Sequence, residues 1–135
     1  MVVGEHDTTD ANDGTIHKVS RVVEHPSYNP NQMFNFDFAI VTLETPISFG
    51  TRANAACLPT RSWSGDFLVG KTLTVSGWGA TSQGGGSPTV LHKVDVPGMT
   101  NAQCSNYYSG ITSSMVCAGQ ASGGIDSCQG DSGGN

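Results

Sequence analysis

Charge is scarce in this chain. Only 13% of its 135 residues are Asp, Glu, Lys or Arg, about half the ~25% of an average soluble domain. The basic side is the poorer one, with 6 Lys and Arg against 11 Asp and Glu, a net charge of −5. Phosphate backbones are bound by basic faces, so this balance argues against nucleic acid as a partner. The same shortage leaves no polybasic membrane anchor. No apolar run approaches the ~20 residues of a membrane-spanning helix. The opening MVVGEHDTTD has neither the basic region nor the apolar core of a signal peptide. The four cysteines, Cys57, Cys104, Cys117 and Cys128, form no CxxC pair, so a zinc reading is poor. Disulfides in a secreted protein fit better. Four cysteines allow three full pairings, and spacing alone does not choose among them.

What the chain does have is glycine, 18 in all, with Ser, Thr and Asn to cover an uncharged polar surface. Its apolar residues fall in short β-branched runs. TIHKVSRVVEH alternates up to Pro26, and FDFAIVTLETPI is compact from Phe36 to Leu43 and stops at Pro46. KTLTVSGWGAT and TVLHKVDVPG alternate again. Short alternating runs between Gly, Pro, Asn and Ser predict an all-β fold. Only residues 100–109, TNAQCSNYYS, read as a short helix, with Thr100 or Asn101 as its cap. QGGGSP, from Gln83 to Pro88, reads as an exposed loop. The stretch from Pro59 reads as a connection between two halves.

The strongest chemical signal is SCQGDSGGN at residues 127–135. A serine hydroxyl is a weak nucleophile until a base stands beside it. Glycines at 130, 133 and 134 allow backbone dihedrals and approaches that side chains forbid. The backbone N–H groups of Gly130 and Ser132 can then converge on one point as an oxyanion hole.

DSCQGDSGG, VSGWGATSQGG, MVCAG, DFAIVTL and VVEHPSYN together resemble the chymotrypsin-like serine endopeptidases of trypsin type. The resemblance runs from about Val3 to Gly134, with five motifs in the family's order. It implies a double antiparallel β-barrel, incomplete at both ends. Residues 1–58 would be the end of the first barrel, 59–72 the connection, and 73–135 most of the second barrel. The mechanism is that of the family and is carried over with the resemblance. Ser132 matches the nucleophile. Asp37 matches the aspartate that orients the catalytic imidazole. Asp126 matches the carboxylate at the base of the specificity pocket, which would select Arg or Lys by ion pairing. Ser127 and Gln129 complete the implied substrate-binding set. Asp131 matches the aspartate that pairs with a new N-terminus after zymogen cleavage. Cys104 and Cys117 match a loop-closing disulfide, and the partners of Cys57 and Cys128 would lie outside this chain.

In the family the triad runs His, then Asp, then Ser along the chain. His6, His17, His25 and His92 all lack the TAAHC-type context of the catalytic base. His6 and His25 match positions that follow it, and no IVGG-type activation site is present. The resemblance therefore implies an internal fragment, inactive as written, of a secreted, monomeric endopeptidase. Its partners would be protein or peptide substrates carrying Arg or Lys, and protease inhibitors. The alternative is a non-catalytic serine protease homologue that acts as a binding or regulatory protein. No cofactor or metal is expected. Trypsins can bind calcium in the loop after GEH, and here Glu5, Asp7, Asp10 and Asp13 offer hard oxygen ligands. Their spacing does not align with the family's ligands, so a solvated acidic loop is the expectation and calcium the alternative. Asn135 departs from the proline that usually follows GDSGG.

Overall fold

The computed structural model describes residues 1–32, 34–58, 65–124 and 126–134. Seven strands and one short helix follow in chain order. They are β1 (Val2–Val3), β2 (Thr15–Ile16), β3 (Val19–Glu24), β4 (Ala39–Leu43), β5 (Thr72–Gly77), β6 (His92–Met99), α1 (Asn101–Cys104) and β7 (Cys117–Ala118). A 3-10 turn over Gly65–Leu68 precedes β5. All pairings between named strands are antiparallel, in sheets of order β1-β2, β3-β4 and β5-β6-β7. The all-β class holds. Among the described residues no sheet closes into a barrel, in keeping with an incomplete barrel fold.

The first half is two ribbons, β1-β2 and β3-β4. Val22 pairs with Val41 and Val23 with Ile40, and the register shifts between Val19 and Arg21. β-branched residues suit such a pleated surface, but little covers it here. Ile40 is 65% exposed and Val22 57%. The run read as a single strand from Thr15 divides in two. His17 and Met1 exchange backbone hydrogen bonds, N–H of His17 to the Met1 carbonyl at 2.8 Å and the Met1 amine to the His17 carbonyl at 3.0 Å. That ties residues 15–17 to β1, while β3 turns to β4.

The second half holds the buried residues. Leu73 faces Val96 and Val75 faces Val94 across β5 and β6. Among the described residues, the buried apolar side chains are Val96, Cys104 and Cys117. Pro97 is the last partner of β5, and pairing with β7 starts at Gly98. The proline's missing N–H therefore falls where one ladder hands over to the next. Cys104 and Cys117 are joined by a disulfide with Cα atoms 6.1 Å apart, across 13 residues of sequence. Such a closure stabilises by roughly 3 kcal/mol in the chain-entropy model. It anchors α1 on β7. Thr100 is the N-cap, and its hydroxyl accepts from the Gln103 N–H at 3.0 Å while the Gln103 side chain accepts from the Thr100 N–H at 3.0 Å. This reciprocal box lets a four-residue helix form where propensity alone is too weak.

Among the described residues, two seams join the halves. Thr8 N–H donates to the Thr89 carbonyl at 2.9 Å, and Leu91 N–H to the His6 carbonyl at 2.7 Å. Residues 89–91 are thereby drawn off the strand expected from Thr89, which begins at His92 instead. Across the second seam, Asn35 Oδ1 accepts from the Thr112 hydroxyl at 3.0 Å and from the Ser114 hydroxyl. The connection expected over 59–72 lies partly outside the described residues, at 59–64.

Cys57 and Cys128 are free thiols, the first exposed and the second half-buried. The unreduced, denatured chain should therefore react with two equivalents of a thiol reagent, read as mass additions at these two residues. Four additions would remove the Cys104–Cys117 bridge from the account, and none would mean a different pairing.

Candidate active site

The loop from Cys128 to Gly134 is shaped by one side chain, Asp131. Its Oδ1 accepts from the Gly79 N–H at 2.8 Å. Its Oδ2 accepts from the Cys128 N–H at 2.9 Å. Its backbone closes two turns, donating to the Cys128 carbonyl at 3.1 Å and accepting from the Gly134 N–H at 2.8 Å. The Ala80 N–H adds a bond to the Gln129 carbonyl at 2.8 Å. The loop is thus stapled to the chain leaving β5, at Gly77-Trp78-Gly79. Charge-assisted bonds of this kind are stronger than neutral ones.

Gly79 makes the docking possible. A Cβ on it would fall inside contact distance of all three carboxylate atoms of Asp131. Gly130 serves a different need, because its φ of 98° is strained for any residue with a side chain. The bend there carries the chain into Asp131 and then Ser132. Two glycines around Trp78 were visible in the sequence only as part of a motif. The reason for them, a carboxylate 52 residues away, was not.

Ser132 is exposed. It lines a cavity of about 400 Å³ with Ser76, Trp78, Leu91 and Gly130. Asp126 is also exposed, and its Oδ1 accepts from the Ser127 N–H at 2.8 Å. It lines a second cavity of about 250 Å³ with Gly79, His92 and Lys93. Asp131 and Gly77 form part of both cavity walls, so the cavities bearing Ser132 and Asp126 share a wall. Ser127 and Gln129 are exposed on the same loop.

Asp37 lies elsewhere. It is exposed, on the loop between β3 and β4, and lines neither cavity. That loop is held on both sides. The His25 ring stacks on Phe36 with centroids 4.7 Å apart and 11° between planes, and tilts against Phe38 at 4.7 Å. On the other side Asn35 carries the bonds to Thr112 and Ser114, a tie that sequence reasoning missed because nothing local marks it. Among the described residues, no hydrogen bond reaches the Asp37 carboxylate or the Ser132 hydroxyl, and no imidazole bonds to either. His25 Nδ1 is occupied by the Ser27 N–H at 3.1 Å, and His17 Nδ1 by the Thr45 hydroxyl at 3.3 Å. The structure brings Gly130, Asp131 and Ser132 together with Asp126 close by, and leaves Asp37 separate.

Asp131→Asn would turn an amide donor toward one of two N–H groups. A loss of about 1–3 kcal/mol in denaturant unfolding is expected, the cost of leaving such a group unsatisfied. Faster proteolytic nicking between 128 and 134 should accompany it. An Asp131→Asn chain that unfolds and nicks like the parent would contradict the staple.

The family model "Trypsin" matches residues 1–135. Trypsin of Xenopus laevis is 40% identical over 136 residues, covering 98% of this chain and 54% of that protein. A vitellin-degrading protease of Bombyx mori is 42% identical over 125 residues, covering 90% of this chain and 46% of that protein. The serine proteinase stubble of Drosophila melanogaster is 39% identical over 122 residues, 86% of this chain and 15% of that protein. The chain therefore spans about half the length, or less, of these relatives. With a family match over its whole length, the chain belongs to the trypsin family of serine proteases.

Proposed function

We propose that this chain supplies the nucleophile half of a serine endopeptidase that cleaves after Arg or Lys. Ser132 is the nucleophile in this reading. The N–H groups of Gly130 and Ser132 stabilise the oxyanion of the tetrahedral intermediate. Asp37 holds the tautomer of a catalytic imidazole, which takes the Ser132 proton and returns it to the leaving amine. An acyl-enzyme forms on Ser132 and is hydrolysed by water. Asp126 pairs with the substrate's guanidinium or ammonium group, and Ser127 and Gln129 line its path. None of the chain's four histidines is the base, so this chain by itself is inactive. The protein works outside the cell, where the Cys104–Cys117 bridge is kept. Its partners are protein substrates and protease inhibitors, and it acts as a monomer.

The observation that carries this reading is the stapled loop. Asp131 fixes the backbone on either side of Ser132 while leaving that serine exposed on a cavity. A binding module has no evident need for an exposed serine held by a half-buried carboxylate. Backbone donors fixed in advance around a developing oxyanion lower the barrier to acyl transfer more than any other single effect in most such enzymes.

The test is kinetic, on the full-length protein that contains this segment. It should hydrolyse Arg and Lys chromogenic peptides in strong preference to Phe and Tyr ones. Ser132→Ala should lower kcat on the order of 10⁶-fold. Asp126→Ser should abolish the preference for basic residues while Ser132 still reacts with a fluorophosphonate. A preference for Phe or Tyr would overturn the role of Asp126. A full-length protein that leaves every substrate intact and Ser132 unlabelled would favour the non-catalytic homologue. Labelling of Ser132 in this chain alone would place a base among its own histidines.

A further inference from the structure

The acidic loop from Glu5 to Gly14 takes no part in the chemistry proposed above, yet it carries a nearly buried carboxylate. Asp13 is 6% exposed at its side chain. Its Oδ2 accepts from the His6 N–H at 2.9 Å and the Asp7 N–H at 2.7 Å. Its Oδ1 pairs with Nη1 of Arg52, from the segment after β4. A buried carboxylate needs both hydrogen bonds and a compensating charge, and here it has both from this chain.

Two of the loop's other carboxylates, Asp7 and Asp10, accept from the loop itself. Asp7 Oδ1 accepts from the Thr9 N–H at 3.0 Å and the Thr9 hydroxyl at 2.7 Å. Those bonds hold the Asp7 carboxyl below its ordinary value. Asp10 Oδ1 accepts from the Asn12 N–H at 2.9 Å. Calcium takes six to eight converging oxygens. Among the described residues no three His, Cys, Asp or Glu side chains, Glu5 included, are placed to share an ion. The carboxylate that points into the loop, Asp13, is already engaged by three donors. The residues do not fit the calcium site that the family implies.

The seat for Arg52 is built into the backbone. Gly4, with φ of 75°, passes so close that a Cβ there would stand 3.3 Å from both the Cβ and the carbonyl oxygen of Arg52. The loop leaves from Gly4, so the position of Arg52 and the start of the loop are set together.

We propose that Arg52 is the resident cation of the Glu5–Gly14 loop, closing it on Asp13 in place of a divalent metal. Because Thr8 and His6 pair with Thr89 and Leu91, Arg52 then also fixes one of the two seams between the halves. The proposal holds whether or not Ser132 reacts.

The test uses this chain, with amide NMR and calcium, then terbium, as probes. Titration to about 10 mM calcium, well above the 10⁻⁴–10⁻³ M range of weak extracellular sites, should give no saturable shift at His6, Asp7, Asp10 or Asp13. Arg52→Gln should speed exchange of the His6 and Asp7 amides about tenfold, since their acceptor loses its counter-charge, and Arg52→Lys should restore part of the protection. A saturable calcium or terbium shift in the native chain would overturn the proposal. So would unchanged exchange in Arg52→Gln. If that variant does not fold, the titration of the native chain decides alone.

Discussion

One carboxylate between two backbone amides holds the candidate site together. Gly79 and Cys128 come from segments about fifty residues apart, and Asp131 receives an N–H from each. The rest of the loop follows from that placement. The turn at Gly130 is bent to deliver Asp131 inward, and Ser132 is carried outward as its neighbour. A Cβ at Gly77, the last residue of β5, or at Gly79 would collide with the carboxylate, so glycines stand on both sides of Trp78.

The two halves are stabilised differently. The second has a buried Val96, a disulfide and a capped turn of helix. The first has two two-stranded ribbons, β1-β2 and β3-β4, whose apolar residues stay largely exposed, and an isolated hairpin of that kind is marginal in water. It is held mainly by what it borrows, namely the Thr8–Thr89 seam and the Asn35 bonds to Thr112 and Ser114, and within itself by the His25 stack. Asp37 sits in this weaker half, on a loop where Phe34 and Phe36 both take positive φ, 55° and 56°. Left-handed backbone at an aromatic residue costs energy. The His25 ring stacks on Phe36. The loop bearing Asp37 is therefore set by tertiary contacts rather than by its own preferences.

Much of this was legible in the residues. Short β-branched runs placed β3 to β6, and Thr100 was one of the two caps the sequence offered for the helix. The motifs around Ser132 identified the family, and a family match over the full length agrees. Other features were not legible, for physical reasons. The break at His17 depends on exchange with Met1, and the late start of β6 depends on His6 and Thr8. Neither leaves a local signal. The acidic loop read as a solvated run or a calcium site, because the counter-ion that fills it lies 39 residues further on. Sequence patterns report what a segment prefers, and these positions are decided by what a distant segment supplies.

The most direct measurement is scalar coupling across the hydrogen bonds at Asp131. A long-range amide–carbonyl NMR experiment on the isotope-labelled chain should connect both the Gly79 and the Cys128 amide to the Asp131 side-chain carboxyl carbon. Both connections would establish that this carboxylate positions the loop bearing Ser132. Amides at Gly79 and Cys128 that couple to no carboxyl carbon and exchange as fast as the 83–88 loop would contradict it.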